Sequence, residues 1–537
     1  MAVSKKFWLY AGIAVLVILL AIAAVFGYMY LNPGKSVFGL KYVAIQDSKN
    51  YVYREDSDHS ITGLKNIIID TDMSNIVIAA SQYGDALNVT YTRKYSGFTR
   101  DEGTSKYELI ISGDDTDKTF TIRTTEKYSG LTSSQSFLYV YLPNTFDFDS
   151  VRATSTQGNI TYSSASSSVN MSIDSVELDT RGNANINIGK LGTTDDYLFR
   201  TQSGNVVFNE AGLFSANKIR FATASGGFYL KKTSSQSTKI SATEGFYVDV
   251  SGEGTMSIDE LDADLHLTAF GGNYKFGIIG SAENNKNAYI NGNKITLTCS
   301  QVYGLVSMLD NDMQNISNQV SISKIVCSST DTSTINCGSG EIFMNEVSAN
   351  IAVQSTSGKI TLLKVAPTCS VYAGSKSGDI SVTYVQSDSM HASTSVKVLS
   401  ETGDINVANV SGTLYAEALK SSPKAAFNIS FNAVVNSKDS YIISKDRNVS
   451  LKWIGNSDNL KARLYTEKEA SFRTSTGASS TIGSQVFSTD GIEYNLEGYK
   501  PTYNHQYRIL YTGAVQAANA GKLFVTGSKD VVVTIVI

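Results

Sequence analysis

Apolar and polar residues alternate along most of this chain, and glycine interrupts the alternation at near-regular intervals. The pattern is clearest over 349–412, where ANIAVQSTSGKITLLKV, VYAGSKSGDISVTYV and VKVLSETGDINVANVSG follow one another. In each phrase an alternating stretch reaches a small residue (Ser355, Ser375, Ser400), turns at Gly358, Gly378 or Gly403 three positions later, and resumes at Ile360, Ile380 or Ile405. A period of two marks a strand with one buried face. Glycine is required at such a corner either because the backbone takes a positive φ or because a neighbouring backbone leaves no room for a β-carbon. The same phrase stands at Ser155 with Gly158, Thr201 with Gly204, Thr223 with Gly226 and Cys337 with Gly340. Glycines 204 and 226 are 22 apart, 340 and 358 are 18 apart, 358 and 378 are 20 apart, and 378 and 403 are 25 apart. A repeat near twenty residues is the mark of a solenoid, and the consensus of a leucine-rich repeat is missing. The pattern predicts an all-β fold, a parallel β-helix or solenoid with irregular β caps.

One segment departs from the alternation. Residues 7–31 form an uncharged run of 25, after the basic pair Lys5 and Lys6. As a helix it spans about 37 Å, enough for a hydrocarbon core of about 30 Å. It predicts one N-terminal transmembrane α-helix, with 1–6 in the cytoplasm by the positive-inside rule and the bulk of the chain outside the cell membrane. A cleaved signal peptide is the rival reading, since Ala21-Ile22-Ala23 has the small-x-small form; the apolar run continues past Ala23 and favours the uncleaved anchor. The expected organisation is then an N-terminal β cap over 32–150, solenoid repeats over 151–412 and a C-terminal β cap over 413–537. The cap ends in a hairpin formed by 521–537. Thr71 to Ile76 reads as a corner phrase with Ser74 in place of glycine. Between Gly245 and Cys337 the phrase fades, and 281–292 and 310–319 read as loops inserted into rungs.

Composition narrows the function classes. A net charge of -4 gives no long-range attraction to nucleic acid, so none is expected as a partner. The 5 prolines, 42 glycines and 18% charged residues suit a strand-rich surface protein. The four histidines, His59, His266, His391 and His505, show no pairing at zinc-ligand spacing, and neither a metal nor a cofactor is expected. Asp114-Asp115-Thr116-Asp117 reads as a solvated turn. Asp379 and Asp404 share an outer corner, but Glu341 and Lys359 complete the row, which reads as cross-strand pairing and not as a catalytic carboxylate pair. Ser421-Ser422-Pro423-Lys424 and Ser457-Asp458-Asn459 match two elements of penicillin-recognising serine enzymes, yet the third, Lys-Thr-Gly, is missing. No catalytic residue is assigned. Of four cysteines, Cys337 sits at a corner position and Cys299 reads as a small buried residue; Cys299 and Cys327 close similar strands and are a possible disulfide.

With the anchor and the phrase in hand, the chain resembles the bacterial putative-adhesin family of membrane-anchored β-strand repeat proteins, whose function is unknown. The likeness rests on Phe137 to Pro143, an apolar strand ending in proline, on Thr154 to Ile160, and on the Ser-Gly-Asp-Ile and Thr-Gly-Asp-Ile corners at 377–380 and 402–405. The resemblance implies an extracytoplasmic solenoid. Three functions fit: a non-enzymatic adhesion or binding protein for a glycan or protein surface, a carbohydrate-active β-helix enzyme, and a structural or sensory accessory of the envelope. The first is expected. Its ligand should contact the irregular middle third, where Tyr289 stands among asparagines, with the tyrosines 499, 503 and 507 as the next candidate.

Overall fold

In the computed structural model the described residues are 5–454, except 57, 82–83, 101–103, 128–130, 167–168, 210–212, 231–238, 309–316, 328–329, 388–393 and 433–439. Beyond 454 they are the strands Ala462–Thr466, Ala470–Thr474, Arg508–Tyr511, Leu523–Gly527 and Val531–Val536. The fold is mostly β, with parallel strands stacked into a solenoid and a single apolar helix, α1 (Lys5–Leu31), at the N-terminal end of the described chain. It divides into two units, Met1–Gln236 and Ser237–Ile537.

In the first unit every rung supplies two strands. One stack runs, in spatial order, Lys118–Lys127, Leu64–Thr71, Phe148–Ser155, Ser172–Thr180, Thr193–Thr201 and Leu213–Thr223, all parallel. The other runs Leu131–Leu142, Asn75–Ala80, Ile160–Ser163, Ile186–Ile188, Val206–Phe208 and Gly227–Leu230. Because the side-chain period is two and the register holds from rung to rung apart from a shift between Leu64 and Asn66, each inward position becomes a column. Ile69, Ala153, Leu178, Phe199 and Phe221 form one, all buried. Burying each large member contributes about 1.5–3 kcal/mol.

Rungs therefore begin at Leu64, inside the stretch assigned to a cap, and their order is inverted: the rung of 118–142 stacks outside the rung of 64–80. The free edges of that outer rung are covered by antiparallel strands. Thr104–Gly113 pairs with Lys118–Lys127, and Leu87–Thr99 pairs with Leu131–Leu142 and then with Leu40–Tyr53. An edge so paired offers no template to another chain. The last turns of α1 lie on this covering layer, with the Phe26 ring edge-on to Phe98 at 4.7 Å and Tyr30 at 4.9 Å from Tyr42.

The second unit opens with three long strands, Lys239–Asp262, Leu265–Ile279 and Ala288–Tyr303. Each runs through the corner without a break and serves both stacks, and a register shift between Val250 and Glu253 marks the bend. This is why the phrase fades here. The expected loop at 281–292 is correspondingly shorter: 281–287 is turn and irregular, while Ala288 to Gly292 belong to a strand. Of the second expected loop, 310–316 lies outside the described residues and Gln319 already starts a strand. Regular two-strand rungs follow, with Ile342, Ile360, Ile380, Ile405 and Phe427 as one buried column.

The repeat does not end at 412. Thr413–Ala418 with Phe427–Asn432, and Ser440–Ser444 with Val449–Ile454, continue both stacks, with one register shift between Val407 and Val410. Their strands alternate as before; what is missing is the glycine, since 419–426 forms a longer corner. Nor do Leu523–Gly527 and Val531–Val536 form a hairpin. They lie in different stacks, each parallel to a strand of the 440–454 rung on one side and to Ala462–Thr466 or Ala470–Thr474 on the other.

Candidate functional site

The seven corner glycines, 158, 204, 226, 340, 358, 378 and 403, are absent from the positive-φ residues, so rotation of the backbone is not what demands glycine. Close approach is. A β-carbon on Gly403 would overlap the carbonyl oxygen of Gly378, one on Gly378 that of Gly358, and one on Gly358 that of Gly340. In the first unit Gly226 meets Gly204 in the same way, Gly204 meets Ala184 and Gly158 meets Ser74. Each corner thus lies directly on the corner of the neighbouring rung.

The small residue three positions earlier has a defined task. Ser155, Thr223, Ser355 and Ser375 are buried, and each hydroxyl accepts the N–H of its own corner glycine at 2.7–2.9 Å. Cys337 does not do this; its backbone carbonyl accepts the Gly340 N–H at 3.1 Å instead. The residue after the glycine also has one. Asn75, Asn159, Asn185 and Asn205 form a ladder in which each side-chain oxygen accepts a backbone N–H from the next rung, at 2.7–3.0 Å. Asp379 and Asp404 do the same, toward Asp404 N–H at 2.9 Å and Ala426 N–H at 2.8 Å. The corner row is a hydrogen-bonding rail.

Glycine is replaced at several corners, by Ala184 and Asn318 among others, and at Ser74 and Arg447 the replacement reaches inward. Ser74 is fully buried, and its hydroxyl donates to Glu126 at 3.0 Å. Arg447, the residue corresponding to glycine in Ser444-Lys445-Asp446-Arg447, is the largest fully buried side chain among the described residues. Its role is invisible in the sequence, where it looks like an ordinary charge.

The four cysteines are free. The disulfide considered between Cys299 and Cys327 is not formed, because register sets Cys299 beside Ile322 whereas Cys327 follows Val326, the partner of Tyr303. Burial pushes the thiols of Cys299 and Cys337 up to about 12. Asp114 caps its own turn, accepting from Thr116 Oγ1 at 2.6 Å and Thr116 N at 2.8 Å, which holds its carboxyl below the usual value. Among the described residues no group of three or more His, Cys, Asp or Glu could hold a metal. His391, His505, Ser457 to Asn459 and the tyrosines 499, 503 and 507 lie outside the described residues.

What remains is an outward face of the second unit. Tyr247, His266 and Tyr289 occupy the same register position on its three long strands. Their rings stack, Tyr247 on His266 at 4.6 Å and His266 on Tyr289 at 5.0 Å, within 20° of parallel. Tyr289 is 40% exposed, and Asn287 Nδ2 donates to its hydroxyl at 3.3 Å. Further along the same position stand Tyr372, Lys397, Tyr415 and Tyr441. Lys397 Nζ is 5.9 Å from the Tyr372 ring centroid and 5.5 Å from that of Tyr415, a cation–π sandwich. The sequence flagged Tyr289 alone. Its companions are 18 to 26 residues from their neighbours in the row, and only the register brings them together.

Stacked parallel rungs with a glycine corner, and a face that gathers rings, define a β-solenoid of the strand-repeat class. Residues 254–422 match the family model described as Toastrack DUF4097. Among solved structures the chain is similar to a putative adhesin from Parabacteroides merdae at 11% identity, covering 68% of this chain and 96% of that one, with a TM-score of 0.21. A putative adhesin from Parabacteroides distasonis is similar at 10% identity, with 63% and 96% covered and a TM-score of 0.21. A putative cell adhesion protein from Clostridium sporogenes is similar at 6% identity, with 92% and 100% covered and a TM-score of 0.13. No curated protein matches.

Proposed function

We propose that this chain is a membrane-anchored, extracytoplasmic β-solenoid that works as a non-enzymatic adhesion or binding protein. The observation that carries the binding role is the outward row of stacked rings on the second unit, because aromatic faces and edges left at a protein surface are a standing source of contact energy. The anchor is supported by α1: Tyr10–Leu31 is long and apolar enough to cross a membrane, and its Val, Ile and Leu side chains are about half exposed. Tyr28, Tyr30 and Phe38, exposed around the end of that helix, are of the ring-bearing kind that settles at a membrane–water boundary.

Two measurements test the reading together. The full chain expressed in its host should remain in the membrane pellet after an alkaline wash, with 40–454 cleaved by external protease. Cells displaying it should attach to a glycan- or protein-coated surface, and Tyr289→Ala should weaken attachment. Recovery of a soluble chain starting near residue 24 would overturn the anchor, and attachment that ignores the ring row would overturn the binding face.

A further inference from the structure

The ring row is interrupted. After Tyr289 the same register position is held on successive rungs by Ser307, Thr334 and Ala352, and rings resume at Tyr372. Tyr289 has one face against His266, so its other face looks across Ser307. At the far end Lys397 covers one side of Tyr372, and the neighbour on the opposite side is the methyl of Ala352. Four rung steps at about 4.8 Å separate the two rings, giving a trough of about 19 Å with an aromatic ring at each end and small residues along its floor.

Among the described residues the floor of this trough is uncharged. The floor strands Val306–Met308, Thr332–Asn336 and Asn350–Ser355 contain no carboxylate, ammonium or guanidinium. What they present outward is hydroxyl and amide: Ser307 and Thr334 on the floor and Gln354 along the side, while the Asn350 amide accepts Ser370 N–H at 2.9 Å and donates to Thr330 O at 3.4 Å. Gln354 Nε2 is already oriented, donating to the Tyr372 hydroxyl at 3.4 Å. The strands are hydrogen-bonded on both sides, so an added peptide strand has no edge to join.

Resting on the reading of the chain as a surface-binding protein, we infer that this trough takes a short stretch of an extended, neutral oligosaccharide. A pyranose offers an apolar C–H face and an equatorial ring of hydroxyls. The C–H faces of the end sugars lie against Tyr289 and Tyr372, where the negative face of an aromatic ring attracts polarised C–H groups. The hydroxyls of the intervening sugars exchange hydrogen bonds with Ser307, Thr334 and Gln354, all groups able to accept as well as donate, or to be bridged by water. Neutrality of the floor selects against sulfated or uronic chains, which would lose hydration without gaining a cation there.

The test uses the full chain in detergent micelles and isothermal titration with hexasaccharides of glucose, N-acetylglucosamine and mannose, alongside sulfated and uronic-acid hexasaccharides. At least one neutral chain should bind. Ala352→Arg, which fills the floor from a half-exposed position and leaves the core untouched, should weaken that binding at least tenfold, as should Tyr289→Ala. Thr361→Arg, half-exposed on the other stack, should leave it unchanged. Binding of a neutral chain that survives Ala352→Arg, or preference for the charged chains, overturns the trough. If cell attachment then persists, the binding role stands and only its site and ligand class fall. Failure of every oligosaccharide to bind overturns the inference in the same way, and failure of attachment as well overturns the reading beneath it.

Discussion

The guanidinium of Arg447 donates to the carbonyl oxygen of Gly403 at 2.7 Å from two rungs away, and to that of Glu401 at 3.0 Å. The intervening rung makes this possible: its corner, 419–426, is longer than the four-residue corner 401–404 beneath it, so the place above Gly403 is filled from the rung beyond. Burial draws the Arg447 pKa down, while the charge of Asp404 acts the other way. The side chain remains a cation and closes a column of carbonyl groups. Arg447→Ala should lower stability by about 3 kcal/mol, since it leaves a buried cavity and strips hydrogen bonds from buried carbonyls. Denaturant unfolding reads this directly, and a loss below about 0.5 kcal/mol would mean that the bonds carry little of the corner's stability.

Gly378 and Gly374 are four residues apart and should respond to very different degrees. A β-carbon at Gly378 overlaps the Gly358 carbonyl, whereas at Gly374 its nearest neighbour is the Tyr372 hydroxyl at 3.4 Å. Gly378→Ala should cost about 3 kcal/mol or more by forcing two backbones apart. Gly374→Ala should stay within about 1 kcal/mol, and equal losses would refute the close-approach account.

Asp404 serves first as a rail post, with its charge toward Arg447 a secondary contribution. Its oxygen accepts Ala426 N–H at 2.8 Å, as asparagine does at 159, 185 and 205. Asp404→Asn should therefore be nearly neutral in stability, and Asp404→Ala should cost about 1 kcal/mol. A large loss in the Asn variant, seen in thermal melts, would mean that the negative charge itself matters, through Arg447 or otherwise.

The cysteines should differ in reactivity. With the thiols of Cys299 and Cys337 raised to about 12, almost no thiolate is present at pH 8, and burial adds a steric barrier. Iodoacetamide followed by mass spectrometry should label half-buried Cys327 first and reach Cys299 and Cys337 only after unfolding. A folded thiol that holds its proton above the ordinary value costs nothing below pH 9.0, and it withdraws stability as pH climbs from there toward 12. Rapid labelling of Cys337 in the native chain would show that its corner opens.

What could be read from the sequence was whatever repeats locally. The Ser-x-x-Gly-Asp-Ile phrase announces a strand, a corner and a strand because the hydroxyl that accepts the corner glycine's N–H is only three residues away, so the whole corner is written in six residues. The phrase disappears in two places where the rungs persist, for different reasons: at 239–303 the strands run through the corner, and at 419–426 the corner lengthens. Both keep the alternation on either side of the corner, which is the feature that stacking needs. The reason for the glycine was not legible, because positive φ and close approach leave the same mark in a sequence and only the position of the next rung separates them. For the same reason the ring row was reduced to Tyr289: a column is a property of register, and rungs of 18, 20 and 25 residues scatter its members along the chain.

The inverted order of the rungs carries a consequence for how the chain comes to be folded. A solenoid laid down in step with synthesis would add each rung to the one before it. Here Leu64–Thr71 is flanked by Lys118–Lys127 and Phe148–Ser155, both made later, and Val531–Val536 slots between Val449–Ile454 and the earlier Ala470–Thr474. Leu64–Thr71 must wait for both its partners while a stretch longer than itself emerges, and in the second unit Ala470–Thr474 must hold a vacancy for a strand still to come. Growth outward from the middle of each unit leaves these strands until last, so the interval between emergence and pairing is longest at the extremities of each unit, where a holding chaperone would have most to do.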